Sequence, residues 1–128
     1  ACAITAYNLA LSEFDADNKN AYCELMEECL LFDPNYTAAL VSYGTFLKNS
    51  GDTTGVDYLE RAIKLLKEDL SLGILNDADH SRFRRAAQIL GKTKDLQLLE
   101  KNKNDKKNIK EKIKFNSENL VGSKRSMN

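Results

Sequence analysis

The sequence predicts an all-α protein in which antiparallel helix-turn-helix units repeat along the chain. Residues of the first predicted helix recur at a fixed distance, since Leu9 and Ala10 return 34 positions later as Tyr43 and Gly44. Four residues of the second predicted helix recur after 33 positions: Tyr22, Met26, Cys29 and Leu30 return as Gly55, Leu59, Ala62 and Ile63. A period of this length is typical of helical repeats, whose neighbouring units stack and share one core.

The first predicted unit has two helices separated by a polar turn. Apolar residues fall on one helical face from residue 4 to residue 14, and a run rich in Asp and Asn breaks the pattern at residues 15–20. Asn18 or Asn20 is expected to cap the second helix. That helix ends before Pro34, the one proline of the chain, because a proline ring removes a backbone donor and clashes with the preceding turn.

Four more helices follow. The apolar stripes predict a third helix over residues 37–49, a fourth over about 55–70 capped by Thr53 or Thr54, a fifth over about 79–90 and a sixth from Asp95. The interval before the fifth helix is longer than the repeat, because Lys67 stands where a second Asp-Pro would have stopped the fourth helix. The later part of the chain therefore follows the repeat less closely.

Charge divides the chain at about residue 100. The formal net charge is zero, but residues 101–128 carry nine Lys and Arg against three Asp and Glu. We expect a helical repeat domain over 1–100 and a basic, Lys- and Asn-rich tail over 101–128 that is disordered or ordered by a partner. Ile109 and Ile113 lie one turn apart, which allows a short amphipathic helix there. The tail would contact nucleic acid, an anionic membrane, an acidic protein surface or its own domain, or remain simply solvated.

The cysteines indicate the redox state of the compartment in which the protein resides. Cys2, Cys23, Cys29 and the single His80 lack the spacing of a zinc site, so we expect reduced thiols and no metal. Reduced thiols favour a cytoplasmic or other reducing compartment. No apolar run reaches the roughly 20 residues of a membrane span. The chain begins at Ala1 without an initiator methionine, and we expect a fragment of a longer polypeptide or a processed product.

Two helices with a short turn and a closing Asp-Pro-Asn, at about 34 residues per unit, resemble the tetratricopeptide repeat. The resemblance covers roughly residues 3–100, or about two and a half to three repeats. It is carried by Tyr7, Asn8, Leu9, Ala10, Tyr22, Met26, Cys29, Asp33 and Pro34, by Leu40, Tyr43, Gly44, Leu47, Gly55, Leu59 and Ala62, and by Phe83, Ala86, Ala87 and Leu90. In each unit a small residue such as Gly44 lets helices approach closely, while a neighbour such as Leu9, Tyr43 or Ala86 fills the space beside it.

The resemblance implies a short right-handed solenoid of stacked helix pairs, in which the first helix of each unit lines a concave groove. In this family, such a groove binds an extended peptide or a short helix of a protein partner. The family's pattern assigns partner binding to Tyr7, Asn8, Leu11 and Phe14, to Val41, Ser42, Thr45, Lys48 and Asn49, and to Ser81, Arg84, Arg85 and Gln88. Three units make a shallow groove, and the alternative is that these are solvated helix faces.

One subclass of the family binds the C-terminal carboxylate of chaperone tails, and this chain lacks most of the residues that form that carboxylate site. Tyr7 and Leu11 replace the first Lys and Asn pair, Ser42 replaces the middle Asn, and Arg85 alone remains of the last pair. Chaperone-tail binding is therefore not expected. Arg84 and Arg85, together with Lys48, would still attract an acidic ligand through charge-assisted hydrogen bonds.

No residue pattern indicates catalysis or a cofactor. His80 has carboxylates nearby but no nucleophile at a suitable spacing, and the glycines fit turns and packing rather than a phosphate loop. We therefore expect a protein-binding scaffold or adaptor module and not an enzyme. The alternative is a ribonucleoprotein or nucleic-acid-associated component that uses the basic tail. A domain that regulates a neighbouring catalytic domain is a third option.

Overall fold

Six α-helices make up the described part of the chain. The computed structural model describes residues 2–127, with the side chains of residues 2–108 and 110–114. The helices are α1 (Ala3–Asp15), α2 (Lys19–Phe32), α3 (Thr37–Asn49), α4 (Thr54–Ser71), α5 (Asp77–Leu90) and α6 (Thr93–Met127). The described residues contain no β-strand, so the predicted all-α class is confirmed.

Local hydrogen bonds set where the helices begin and end. The Asn18 side chain accepts a hydrogen bond from the Ala21 amide at 3.5 Å, as predicted for the cap of α2. Asn76 Oδ1 accepts one from the Asp79 amide at 2.8 Å, and α5 therefore begins earlier than predicted. The helix ends at Gly91, whose φ of 68° is a left-handed conformation that favours glycine.

The start of α4 depends on a residue that sequence analysis missed. Thr53 occupies the cap position without a side-chain hydrogen bond. Instead, Asp52 Oδ1 accepts hydrogen bonds from the Thr54 hydroxyl at 2.6 Å and from the Thr54 amide at 2.9 Å. These bonds lower the pKa of the Asp52 carboxyl. A carboxylate at this end of a helix also interacts favourably with the helix dipole.

Small residues allow close contact where α3 packs against α4. A Cβ atom added to Gly55 would lie 2.5 Å from the Gly44 carbonyl oxygen and 2.5 Å from the Lys48 amide nitrogen. Ala10 and Ala87 are fully buried at other contacts. The core around α1 to α3 consists of Ala6, Ala10, Tyr22, Met26, Cys29, Ala39 and Tyr43. The predicted role of small residues at the helix contacts is therefore confirmed.

The larger residues beside these small ones differ in burial. Tyr43 and Ala86 are 3% and 0% exposed, as their predicted packing role requires. Leu9 is 52% exposed, so the prediction that it fills a packed space is wrong. The physical reason is its position: α3 packs against α2, α4 and α5, whereas α1 packs mainly against α2, which leaves about half of Leu9 exposed.

The chain divides into two compact units, of which α1 to α5 form the first and α6 the second. The division falls after Lys92, ahead of the composition change at residue 101. α6 continues through the basic tail to Met127, and a need for a partner there stays a prediction. The Ile109 side chain lies outside the described residues. Among the described helices, none is long and apolar enough to cross a membrane.

Candidate functional site

Two adjoining depressions on the first compact unit form a surface that we call the cleft. The larger depression has a volume of about 480 Å³, and the smaller one has a volume of about 250 Å³. Leu11, Ser42 and Arg85 line both of them. These residues come from α1, α3 and α5, respectively. The cleft therefore runs across the first helices of all three predicted units.

Most of the predicted groove residues line this cleft. Those that do are Tyr7, Leu11, Phe14, Val41, Ser42, Thr45, Asn49, Ser81 and Arg85. Those that do not are Asn8, Lys48, Arg84 and Gln88. Arg84 adjoins Arg85 in sequence but lies about 100° around the helix from it. The structure thus separates two arginines that the sequence pattern grouped, and the binding role of each stays a prediction.

Three aromatic rings form the floor of the larger depression. The ring centroids of Phe14 and Tyr22 are 5.0 Å apart, and those of Tyr22 and Phe46 are 5.1 Å apart. Phe14 and Phe46 stand edge to face at 6.2 Å. Aromatic pairs at such distances and tilts attract one another. Phe14 is nevertheless 47% exposed, so the floor retains apolar surface that a ligand could bury.

Hydrogen bonds fix the polar rim above these rings. The Tyr22 hydroxyl and Ser42 Oγ lie 2.8 Å apart, which joins α2 to α3. Thr45 Oγ1 donates to the Val41 carbonyl at 2.7 Å. Burial raises the pKa of Tyr22, so its phenol is neutral near pH 7. A rim that is already held in place loses less conformational entropy when a ligand binds.

Tyr43 packs behind this floor and ties α3 to α2. Its ring centroid is 6.1 Å from that of Tyr22 and 6.4 Å from that of Phe46. The Tyr43 hydroxyl donates a hydrogen bond to Glu27 Oε1 at 2.8 Å. Burial, followed by this hydrogen bond and the charge of Glu27, raises the pKa of Tyr43. The residue is thus a neutral, structural support for the cleft.

The smaller depression is less aromatic than the larger one. Tyr7 lines it and packs edge to face on Tyr36, with ring centroids 5.5 Å apart. Ala38 and Val41 supply apolar wall, and Ser81 supplies a hydroxyl. The two depressions therefore suit side chains of different size, with the larger and more aromatic ligand group in the larger depression.

The charge of the cleft is positive. Among the described residues that line it, Lys19, Arg82 and Arg85 are charged and none is acidic. Arg82 pairs with Asp79, with 2.8 Å between Nη1 and Oδ1. Arg85 is exposed and makes no hydrogen bond or ion pair with the described residues. A guanidinium without a partner, beside apolar surface, is suited to binding a carboxylate.

Several lining residues were missed by the sequence analysis. Lys19 and Tyr22 belong to α2, which the family's pattern assigns to the outer layer of helices. Phe46 and Arg82 each stand one position away from a predicted residue. One signal was present in the sequence: Tyr22 is a large aromatic residue where the second unit has Gly55. That difference in size indicates a side chain that reaches between helices.

The buried thiol of the first compact unit, Cys29, is not activated as a nucleophile. Burial raises the pKa of the Cys29 thiol to about 11, and a thiol that is protonated at neutral pH is a poor nucleophile. Within the described part of the chain, no three His, Cys, Asp or Glu side chains are grouped as a metal site requires. The cleft supplies apolar surface, hydroxyl groups and positive charge.

Comparison with protein-family models, with curated proteins and with solved structures finds no match to this chain. The resemblance to the tetratricopeptide repeat accordingly rests on the residues that carry it.

Proposed function

We propose that α1 to α5 form a short tetratricopeptide-like interaction module, and that its cleft binds a peptide or helix of a protein partner. The observation that carries this proposal is the convergence of Leu11, Ser42 and Arg85 from three separate helices on one open surface. A continuous surface of this kind, which combines apolar and aromatic side chains with hydroxyl groups and positive charge, is suited to contact with a protein partner. The module would act as a scaffold or adaptor.

The order of helix contacts supports a solenoid of stacked pairs, and the family resemblance implies that its twist is right-handed. α1 packs against α2, and α3 packs against α4, as expected within a unit. α3 also contacts α2 and α5, and α4 contacts α5. Each pair is therefore in contact with the next along the chain. Stacking of this kind aligns the first helices side by side, which is the arrangement that a groove requires.

The lining of the cleft favours a partner segment that is both apolar and acidic. The exposed part of Phe14 would be covered by an apolar side chain in the larger depression, which contributes free energy in proportion to the apolar area buried. Arg85 lies where the two depressions meet. It would form a charge-assisted hydrogen bond with a carboxylate of the same segment. We therefore propose an acidic residue flanked by apolar anchors as the bound motif.

The proposal is tested by selecting peptides from a random display library with the full chain and measuring their affinity by fluorescence anisotropy. Ser42→Trp adds a large side chain where the two depressions meet, so it should weaken binding of the selected peptides by at least about tenfold. Lys64→Trp introduces the same side chain at an exposed position of α4 that does not line the cleft. This control should bind as the wild type does.

The two variants also separate blocking from unfolding. Both proteins should give the helical circular dichroism spectrum of the wild type. Lys64→Trp should keep the wild-type melting temperature, whereas Ser42→Trp, which loses the hydrogen bond to Tyr22, should melt at a lower temperature but remain folded in the binding assay. Selection of no peptide, or equal affinity of the selected peptides for the Ser42→Trp and Lys64→Trp proteins, would contradict binding in the cleft.

A further inference from the structure

Five lysines share one face of α6. An α-helix turns 100° per residue and rises 1.5 Å, so these residues fall within an arc of about 100° over roughly 16 Å of helix. All five side chains are exposed. They are Lys103, Lys106, Lys107, Lys110 and Lys114, which together we call the basic face.

The charges of the basic face are not neutralised by the described part of the protein. None of the five lysines has an ion pair or hydrogen bond with a described residue. The acidic residues of the same stretch, Asp105 and Glu111, lie outside the arc of the lysines. Lysines three and four positions apart on a helix repel one another. A bound polyanion would relieve this repulsion and stabilise the helix.

We propose that the basic face of α6 binds the phosphate backbone of nucleic acid, without preference for base sequence. Each lysine ammonium that neutralises a phosphate releases a condensed counterion, which makes such binding strongly dependent on salt. Lysine is a suitable point charge for this contact because its three donors need no fixed geometry. The activity is separate from the cleft and does not depend on peptide binding there.

The composition of this face favours nucleic acid over a protein surface. Protein interfaces are enriched in Arg and aromatic residues and depleted in Lys. The basic face contains lysine alone. A contact surface of this type provides electrostatic attraction without the large apolar anchors of a protein interface.

A membrane surface is also a poorer match than nucleic acid. A helix that lies on a membrane needs an extensive apolar face opposite its charges. Residues 100–114 contain two apolar residues, Ile109 and Ile113. Lys101 and Lys112 lie on the side of the helix opposite the basic face, where an apolar face would have to be. Two isoleucines do not make the extensive apolar face that membrane binding needs, so this segment is better suited to a partner in water.

The test measures binding of the full chain to a fluorescent 20-base-pair duplex of DNA, and to the RNA duplex of the same sequence, between 50 and 200 mM NaCl. Five phosphate contacts predict a slope of about −4.5 in a plot of log affinity against log salt, or a loss of affinity of up to about 500-fold over this range. Both duplexes should bind, since both present the phosphate backbone. Hydrogen exchange in residues 103–114 should slow on binding.

Two double variants with the same change in charge distinguish the basic face from net charge. Lys107→Gln with Lys110→Gln removes two members of the face and should reduce the slope to about −2.7 and the affinity at 100 mM NaCl by about tenfold. Lys101→Gln with Lys112→Gln removes two lysines from the opposite side and should change the affinity less than twofold.

Several results would overturn the proposal. Equal losses in the two double variants would mean that net charge, and not this face, drives binding. Absence of duplex binding at 50 mM NaCl, or a slope near zero, would exclude phosphate contacts. Tighter binding to vesicles with 30% phosphatidylserine than to either duplex would identify a membrane surface instead. If neither double variant changes the affinity for the duplex, the contact lies elsewhere on the chain.

Discussion

The first helix pair, α1 with α2, and the second pair, α3 with α4, carry related residues at matching positions but bury them differently. Leu9 of α1 and Tyr43 of α3 stand 34 residues apart in the repeat. Leu9 is 52% exposed, whereas Tyr43 is 3% exposed. The second pair also has its closest backbone approach at Gly44 and Gly55, whose counterparts in the first pair are Ala10 and Tyr22.

The difference shows that a repeat fixes which face of a helix is apolar, but its neighbours decide whether that face is buried. α3 has helices on several sides, because it contacts α2, α4 and α5. It is therefore the centre of the unit that carries the cleft, and it supplies Ser42, Thr45 and Phe46 to the lining. α1 contributes Leu11 and Phe14 from one edge. Stability should accordingly depend more on the second pair than on the first.

The largest expected difference in stability between the two pairs comes from truncating their matching large residues, Leu9 and Tyr43. Tyr43→Ala should lower the free energy of unfolding by about 4 kcal/mol, because it removes a buried ring and leaves a cavity. Leu9→Ala should lower it by about 1 kcal/mol or less, because half of the side chain is already in water. Chemical denaturation monitored by circular dichroism measures both. Equal losses of unfolding free energy would show that the two residues are buried alike and would contradict the difference between the pairs.

A smaller contrast tests the close approach that only the second pair has. Gly55→Ala should destabilise the protein by about 2 kcal/mol, because its Cβ would meet backbone atoms of α3 that cannot move aside. Gly44→Ala should cost about 1 kcal/mol, because its added Cβ would lie 3.0 to 3.2 Å from its neighbours, a smaller overlap than the 2.5 Å approaches at Gly55. Chemical denaturation of both variants shows which of them loses more free energy of unfolding. A stabilised Gly55→Ala protein would mean that α3 and α4 are further apart.

The helices and most of the cleft follow from features that are local in sequence. Pro34 and the Asn18 cap define the ends of α2, and the apolar stripe of α3 predicts its bounds of residues 37–49 without error. The family resemblance also assigns Leu11 and Ser42 to the groove faces of their helices, and both residues line the cleft. These signals concern residues within a few turns of each other, where helix geometry alone decides the outcome.

What could not be predicted depends on contacts between residues distant in sequence. The exposure of Leu9 depends on which helices flank α1, and the entry of Tyr22 into the floor of the cleft depends on its hydroxyl contact with Ser42, 20 positions away. Arg84 and Arg85 are one step apart around α5, and the rotation of this helix in the fold places only Arg85 at the cleft. The rotation of a helix about its axis is set by its packing against all the helices around it. The sequence of one helix alone therefore does not determine it.

The two arginines of α5 provide the most direct test of the claim that the cleft is the binding site. Arg85→Gln and Arg84→Gln make the same chemical change at adjacent positions, but only Arg85 lines the cleft. The measurement is the affinity of each full-length variant for one peptide selected by the wild-type chain. Arg85→Gln should weaken binding by about tenfold, and Arg84→Gln by less than twofold. Equal affinities of the two variants, or a greater loss in Arg84→Gln, would contradict the account.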